Sequence, residues 1–157
     1  MGKILNLGSG SMGRQEGITN VDCRGLPTVD VVADVRKLPF KDGEIEGILN
    51  RNLIEHFGRN EIAPLLKEWS RVLKSGGFLQ IETVDIGRLM DKWREIPEEN
   101  MLDGILGAQT YDENFHKMVF TRAILERFLK EAGFEIGEVK QFDAREIPRI
   151  IINSIKI

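Results

Sequence analysis

The sequence predicts an α/β fold with a mainly parallel sheet. Short apolar runs alternate along the chain with segments whose apolar residues recur at helical spacing. The first of these runs ends in a glycine turn, Gly8-Ser9-Gly10. With 157 residues, the chain has the length of one domain, so we take residues 1–157 as a single domain.

Each apolar run that is bounded by turn residues predicts a strand. The first half of the chain supplies the runs 3–7, 18–21, 29–33, 45–49 and 78–83. The C-terminal region supplies two more, 134–142 and 149–157. These last two are separated by about six residues, which suits a hairpin, whereas a parallel crossover needs about a dozen or more.

Two segments predict helices. The first follows Asn60, a candidate N-cap, and keeps its apolar residues at helical spacing up to Leu73. Pro64 falls in its first turn, where proline is tolerated. The second spans residues 121–132, with Thr121 as candidate N-cap and Gly133 as the C-terminal turn. Residues 85–118 are less regular, with weak helical patterns over 86–94 and 98–106, and we expect them to form an insertion or lid on the substrate side.

Charge and composition disfavour several classes of protein. The formal net charge is −3, whereas a nucleic-acid enzyme would be expected to carry a basic face. A single cysteine, Cys23, rules out a disulfide framework, and no metal is predicted because no known ligand spacing occurs. No apolar run approaches the ~20 residues that span a bilayer, and no signal-peptide pattern occurs, so we expect a cytoplasmic protein.

The segment Gly8-Ser9-Gly10-Ser11-Met12-Gly13 matches the G-x-G-x-x-G pattern after a strand. A dinucleotide site would also need a helix whose N-terminus meets the pyrophosphate, and residues 14–19 are too few for one of several turns. A ligand without phosphates, such as S-adenosylmethionine, needs no such helix. Glycines allow its close approach, and Asp22 and Asp34 follow two neighbouring strands, where they could bind a ribose diol and an adenine amine. An NAD-dependent oxidoreductase is the alternative.

With these residues in place, the chain resembles the class I S-adenosylmethionine-dependent methyltransferases, in particular their small type 11-like members. The matching segments occur in the family's order over nearly the whole chain. They are Ile4-Leu5-Asn6-Leu7-Gly8-Ser9-Gly10, Asn20-Val21-Asp22, Val32-Ala33-Asp34-Val35-Arg36-Lys37-Leu38-Pro39-Phe40, Leu53-Ile54-Glu55-His56-Phe57, Trp69-Ser70-Arg71-Val72-Leu73-Lys74-Ser75-Gly76-Gly77, His116-Lys117-Met118-Val119-Phe120-Thr121 and Glu131-Ala132-Gly133-Phe134.

The resemblance implies a Rossmann-like, seven-stranded, mainly parallel sheet with its last strand antiparallel, helices on both faces and a shortened first crossover. It also implies S-adenosylmethionine as cofactor. The cofactor-binding residues would be Gly8, Ser9 and Gly10 for the methionine part, Asp22 with its neighbour Cys23 for the ribose, Asp34 and Val35 for the adenine, and Asn50, Arg51 and Asn52 beside the sulfonium and its methyl group.

Cys23 itself is expected to be a small buried or half-buried side chain. The neighbouring Asp22 carboxylate should raise the pKa of its thiol, which disfavours a nucleophilic role.

The expected reaction is transfer of a methyl group to a small-molecule or glycan-type acceptor. Positioning of the acceptor supplies most of the catalysis, and a hydroxyl acceptor would also need a base. His116 is the first candidate for that base, with Tyr111 and Asp112 as weaker ones. A non-catalytic member that binds the cofactor or a protein partner is an alternative. Residues 85–118 or a second copy in a homodimer would cover the site.

Overall fold

The computed structural model describes residues 2–157, and its strands form one sheet. In chain order they are β1 (Lys3–Leu7), β2 (Ile18–Asp22), β3 (Val31–Val32), β4 (Ile45–Arg51), β5 (Leu73–Val84), β6 (Phe134–Ala144) and β7 (Ile147–Lys156). Their spatial order is β3-β2-β1-β4-β5-β7-β6. The predicted seven-stranded sheet is therefore confirmed.

Strand direction follows the prediction as well. β1 pairs in parallel with β2 and β4, β2 with β3, and β4 with β5. β7 lies antiparallel to both of its neighbours, β5 and β6. The antiparallel last strand is confirmed, and the carboxyl ends of the first five strands meet at one edge of the sheet.

Helices lie on both faces of the sheet, as predicted. They are α1 (Arg59–Val72), α2 (Ile86–Asp91), α3 (Glu98–Leu106) and α4 (Arg122–Glu131), with a short 3-10 helix over Ile54–His56. α1 and α4 contact each other and bury their apolar sides in the main core against the sheet. That core includes Leu5, Leu7, Ile48, Leu65, Leu66, Trp69, Leu79, Ile81, Leu125 and Leu129.

The second face of the sheet is covered by α2 and α3 near the ends of β5 and β7. Val84 and Ile147 alternate with the main-core rows of those strands, and they pack with Leu89 and Ile96 in a separate small cluster. Farther along this face the side chains are only half-buried. They include Ile4, Ile18, Leu49 and Phe78.

The crossover from β1 to β2 is the feature that sets the site apart. Residues 8–17 contain turns and no helix. The predicted shortening of this crossover is confirmed, and it extends to loss of the whole helix. A bound phosphate would therefore find no helix N-terminus after the glycine turn.

The start of α1 differs from the prediction. The helix begins after Gly58, whose N–H donates to the Glu61 side chain at 2.8 Å, so the proposed Asn60 cap is wrong. Pro64 consequently lies inside the helix instead of in its first turn. Both Asn60 and Pro64 are exposed, so water can satisfy the carbonyl that a proline N–H would have met.

Several strand boundaries also differ, and β5 begins at Leu73 and not at residue 78. β3 keeps only Val31–Val32 of the predicted 29–33. Just before it, the Asp30 N–H donates to the Asn20 carbonyl of β2, and the Asp30 carboxylate accepts the Asn20 N–H. The hairpin between β6 and β7 has two connecting residues and not about six. Arg145 and Glu146 both have positive φ, 50° and 66°, which matches the tight turn that suits the twist of paired strands.

Trp69 provides a test of the main core. Its side chain is fully buried, and its indole Nε1–H donates to the Val35 carbonyl at 3.1 Å. Trp69→Ala is expected to lower the free energy of unfolding by about 3–5 kcal/mol, measured by urea denaturation. Trp93→Ala is the matched control, because Trp93 is about half exposed; it should lose about 1 kcal/mol or less. Equal losses would contradict the packing described.

Candidate functional site

The glycine turn after β1 is held against the end of β2. The backbone N–H groups of Gly8 and Ser9 both donate to the Val21 carbonyl, at 2.8 and 3.2 Å. Gly8 has φ +67°, and a Cβ there would come within 2.8 Å of the Leu53 side chain. Because an L side chain disfavours this backbone region, glycine is required where the turn meets the segment after β4.

Asp22, at the end of β2, ties this turn to the following loop. One carboxylate oxygen accepts the Gly10 N–H at 2.8 Å, and the other accepts the backbone N–H and the Nε–H of Arg24 at 2.9 and 3.2 Å. Burial alone would raise the pKa of Asp22, but these hydrogen bonds hold it below its usual value. Asp22 is therefore ionised at neutral pH and already engaged on both oxygens.

Asp34 lies beyond the end of β3 in a more open setting. Arg36 donates to both of its carboxylate oxygens at 2.8–3.0 Å, which lowers the pKa of Asp34. The neighbouring Val35 is buried, and its carbonyl is held by Trp69. The core helix α1 thus fixes the loop that carries both residues.

Cys23 and Arg24 face the insertion. The Cys23 side chain is exposed, so the expectation of a buried or half-buried thiol is wrong; β2 ends at Asp22 and the chain turns outward there. Partial loss of water contact around the sulfur and the Asp22 charge both raise the pKa of the thiol, and the effect of the Asp22 charge was expected. The Arg24 guanidinium lies 4.5 Å from the centre of the Tyr111 ring, a cation–π contact that joins the cofactor side to the insertion.

A cavity of about 350 Å³ lies between these carboxylates and the insertion, within the usual range of ligand pockets. Several predicted cofactor residues line it. They are Gly8, Asp22, Cys23, Asp34, Val35 and Asn52. Beside the turn, the buried Ser9 hydroxyl has no hydrogen-bond partner among residues 2–157. Such an orphaned polar group at a glycine turn fits a site built for a polar ligand. The carboxylates of Asp22 and Asp34 can accept hydrogen bonds from hydroxyl or amine groups of that ligand, and the Ser9 hydroxyl can donate one.

Asn50, Arg51 and Asn52, at the end of β4, lie in different surroundings. Asn50 is buried without a hydrogen-bond partner within residues 2–157, beside a narrow cavity of about 50 Å³ that Arg51 also lines. Arg51 pairs with Glu82 at 2.9 Å. Asn52 has φ 52° and borders the cavity of about 350 Å³. The structure thus separates Asn50 and Arg51 from the other predicted cofactor residues.

A second cavity, of about 620 Å³, lies between the insertion and the ends of β5 and β7. Its walls are polar and include Glu55, Glu82, Asn100, Asp103, His116 and Arg149. Asn52, His56 and Tyr111 line both cavities. The two cavities therefore meet at these three side chains, and His116 lies on the second cavity whereas Asp112 lies on the first.

The two histidines form a pair at this junction. Their ring centres are 5.0 Å apart in an edge-to-face arrangement. Nδ1 of His56 lies 3.1 Å from the Phe115 carbonyl, and Nδ1 of His116 lies 3.2 Å from the Gly104 carbonyl. Burial lowers the pKa of His56, and burial together with the His56 charge lowers the pKa of His116 to about 4. Both imidazoles are therefore neutral near pH 7.

Glu55 is the prominent cavity residue that sequence reasoning did not single out. It lies in the 3-10 helix and is 2% exposed. Neither carboxylate oxygen has a hydrogen-bond partner within residues 2–157, and burial raises the pKa of the carboxyl to about 7. The available signal was an acidic residue between Ile54 and His56 just after a buried strand, but only the tertiary structure shows that it is enclosed.

Comparisons with known proteins agree with this geometry. A family described as "Methyltransferase domain" matches residues 14–81. A methyltransferase of Methanosarcina mazei that depends on S-adenosylmethionine has 19% identity and a TM-score of 0.69, over 99% of this chain and 92% of that one. A methyltransferase of the same dependence from Thermotoga maritima has 21% identity and a TM-score of 0.69, over 100% of this chain and 83% of that one.

A third similar structure holds ligands. It is the 1,6-didemethyltoxoflavin-N1-methyltransferase of Burkholderia thailandensis, bound to 1,6-didemethyltoxoflavin and S-adenosylhomocysteine, with 14% identity, a TM-score of 0.71 and coverage of 99% of this chain and 71% of that one. No curated protein matches the chain. The family match covers residues 14–81, less than half of the chain, and the similar structures share its fold. Both findings agree with the resemblance to S-adenosylmethionine-dependent methyltransferases that the sequence predicted.

Two features are absent from the described part of the chain, a metal-binding group of side chains and a membrane-spanning helix. Over residues 2–157, no three or more His, Cys, Asp or Glu side chains are grouped so that they could hold a metal ion. No helix in that range combines the length and apolar character needed to cross a membrane.

Gly8 and Gly13 make a matched pair for testing the turn. Gly8→Ala forces a side chain onto a left-handed backbone, at a cost of about 1–2 kcal/mol, and into contact with Leu53. We expect a lower unfolding midpoint and weaker binding of S-adenosylhomocysteine, measured by thermal unfolding and calorimetry. Gly13→Ala meets nothing within 4 Å and should change neither quantity. Unchanged behaviour of Gly8→Ala would contradict the described turn.

The buried Glu55 carboxyl predicts a pH-dependent stability. Its pKa is about 7 in the folded protein against a usual value of 4.5, so the folded state disfavours the charge, and this cost appears as pH rises from about 4.5 to about 7. Glu55→Gln should be more stable than the wild type by about 3 kcal/mol near pH 8 and equally stable near pH 4. Urea denaturation at both pH values measures the difference.

The control for this measurement is Glu131→Gln, which removes an exposed carboxylate. Its stability relative to the wild type should vary little between the two pH values. A difference between Glu55→Gln and the wild type that does not grow with pH would show that Glu55 is not enclosed as described.

Proposed function

We propose that this chain transfers the methyl group of S-adenosylmethionine to a small-molecule acceptor held in the cavity of about 620 Å³. When bound, S-adenosylmethionine supplies a sulfonium methyl group that is already activated for displacement. The chain's own residues then have to bind the two molecules, align them and keep water away, and alignment of this kind is worth roughly 7–11 kcal/mol.

The observation that carries this proposal is the meeting of two cavities at a shared wall. One cavity is lined by the glycine turn and the two carboxylates that follow β2 and β3, and the other is lined by the insertion and β7. Asn52, His56 and Tyr111 belong to both. A cofactor and an acceptor in separate cavities would approach each other at these side chains.

On the cofactor side, we assign Asp22 to the ribose hydroxyls and Asp34 with Val35 to the adenine. Arg24 already donates to one Asp22 oxygen, so a ribose would share that carboxylate with Arg24 or displace it. The turn Gly8-Ser9-Gly10 would hold the methionine part, with the unpartnered Ser9 hydroxyl as a donor. Cys23 would contact the ligand only from the rim, and Asn50 and Arg51 would support the turn from behind.

On the acceptor side, a small polar molecule suits the size and the polar walls of the cavity. The Burkholderia enzyme of the same fold holds a small molecule together with S-adenosylhomocysteine. A sugar unit of a glycan is a second acceptor class, favoured by wall amides such as Asn100 and Asn114. We assign His116 and Tyr111 to acceptor contacts and Asp112 to the lid over the cofactor.

Residues 85–118 serve as that lid in this proposal. Lys117 and Met118 donate their N–H groups to the Glu55 carbonyl at 2.9 and 3.2 Å, which attaches the end of the segment to the site. A homodimer is a further proposal, supported by the half-buried apolar side chains on the second face of the sheet. The lack of a helix in residues 8–17 argues against the NAD-dependent alternative.

Calorimetry separates the proposed function from its alternatives. We expect S-adenosylmethionine and S-adenosylhomocysteine to bind and NAD not to bind. Asp22→Ala should weaken S-adenosylhomocysteine binding by about 1–3 kcal/mol, because the ribose hydroxyls lose their acceptor. Asp42→Ala, which removes a largely exposed carboxylate beside Arg71, should leave the affinity unchanged.

The outcomes have different meanings. Binding of NAD alone would support an oxidoreductase, and absence of all binding would support a protein that acts through a partner. An unchanged affinity of Asp22→Ala would place the ribose elsewhere. Because Asp22 also holds the Gly10 N–H, thermal unfolding of the variant shows whether any loss of affinity comes from a damaged fold.

A further inference from the structure

Two side chains in the acceptor cavity carry buried polar atoms that lack a hydrogen-bond partner. Both oxygens of Glu55 and the Nε–H of Arg149 are buried and without a hydrogen-bond partner within residues 2–157. Both residues line the cavity of about 620 Å³. Buried groups that lack partners are rare because each costs roughly 1–3 kcal/mol, so a pair of them in one cavity indicates a ligand with complementary groups.

The backbone of Glu55 is anchored, whereas its carboxyl oxygens have no hydrogen-bond partner within residues 2–157. The 3-10 helix that carries it packs on the main core through Ile54, and its carbonyl accepts two N–H groups from the end of the insertion. The Thr83 hydroxyl is close enough to lower the pKa of this carboxyl, but it is itself buried and has no partner with the distance and angle of a hydrogen bond within residues 2–157. The carboxyl group is therefore positioned by the backbone and left available to whatever occupies the cavity.

Arg149 offers the opposite charge from β7. Its Nη1 contacts the side-chain oxygen of Asn52, which orients the guanidinium toward the junction of the two cavities. Among residues 2–157 it forms no ion pair within 4.0 Å, whereas the nearby carboxylate of Glu82 is taken by Arg51. A guanidinium that holds an amide and no carboxylate keeps its capacity for an anion.

We propose that the acceptor carries an anionic group, a carboxylate in the simplest case, together with an N–H or O–H at the atom to be methylated, and that Arg149 binds the anion while a Glu55 oxygen binds and then takes the proton. This subsite rests on the proposed function, whose acceptor class it narrows to hydroxy acids and amino acids. Neither residue belongs to the cofactor cavity.

The proton in this proposal moves from the acceptor to Glu55, and no other group is needed to take it up. The N–H or O–H bond of the acceptor breaks, its electron pair stays on the nucleophilic atom, and the proton joins the ionised Glu55 carboxylate, which becomes neutral. A carboxyl whose pKa is about 7 is well matched to this role near neutral pH. His116, with its pKa near 4, is a far weaker proton acceptor and is better suited to accept a hydrogen bond.

The surroundings of Glu55 decide how its charge responds to pH. From β5 it faces Glu82, whose charge raises its pKa, and from β7 it faces Arg149, whose charge lowers it. The insertion brings His116 and Asp103 to the same cavity, and Arg145 of the hairpin also borders it. Burial lowers the pKa of both histidines, that of His116 to about 4. Glu55, with a pKa of about 7, is therefore the cavity group expected to change charge between about pH 6 and pH 8.

The test uses the full chain with S-adenosylhomocysteine bound and three probes of one size. 3-Hydroxybenzoate has both groups, 3-hydroxybenzamide lacks the anion, and 3-methoxybenzoate lacks the donor. Calorimetry or ligand-observed NMR is expected to show 3-hydroxybenzoate binding about tenfold more tightly than each of the other two. Its advantage over 3-methoxybenzoate should grow between about pH 6 and pH 8 as Glu55 ionises.

Matched variants assign each preference to its residue. In Arg149→Gln, 3-hydroxybenzoate should bind no more tightly than 3-hydroxybenzamide. In Glu55→Gln, the advantage of 3-hydroxybenzoate over 3-methoxybenzoate should no longer grow with pH. Arg127→Gln, an exposed residue of α4, should preserve both. Thermal unfolding confirms that each variant is folded.

Each outcome has a defined meaning. Equal affinities of the three probes, including failure of all three to bind at millimolar concentration, overturn this subsite, as does a preference that survives in both site variants. Failure of S-adenosylhomocysteine itself to bind would instead overturn the proposed function.

Discussion

The carboxylate of Asp22 is the group on which the cofactor side of the site depends. A parallel crossover between β1 and β2 would ordinarily be stabilised by a helix, and here residues 8–17 have none. Asp22 replaces that support by accepting the Gly10 N–H and by holding Arg24. Arg24 in turn contacts Tyr111 of the insertion, so one buried charge connects the glycine turn, the loop after β2 and the insertion.

Glu55 contributes to the cavity of about 620 Å³ in two ways, through its backbone and through its side chain. Its backbone carbonyl anchors the end of the insertion, while its side chain remains without a partner. Burying a carboxyl in this way costs stability, which a protein retains where the group serves binding or chemistry. The insertion is thus attached at the residue whose side chain lines the cavity of about 620 Å³.

Local sequence signals were sufficient for much of the fold. The apolar runs located every strand, Thr121 caps α4 through a hydrogen bond to the Ile124 N–H at 3.3 Å, and Gly133 has the expected positive φ. The errors lie where a local pattern has more than one solution. Gly58, and not Asn60, is the N-cap of α1, because its N–H donates to the Glu61 side chain. Two residues with positive φ, neither of them glycine, form the turn of the last hairpin.

By itself, the sequence determined the order of strands and helices, the glycine turn and the two aspartates that follow β2 and β3, because these depend on spacing along the chain. Only the tertiary structure decided that Asn50 and Arg51 lie apart from the cofactor cavity, that Cys23 is exposed, and that Glu55 and Arg149 share a cavity. These features depend on contacts between residues up to about a hundred positions apart, and burial, which sets the cost of an unpaired charge, exists only after the sheet, the helices and the insertion have packed together.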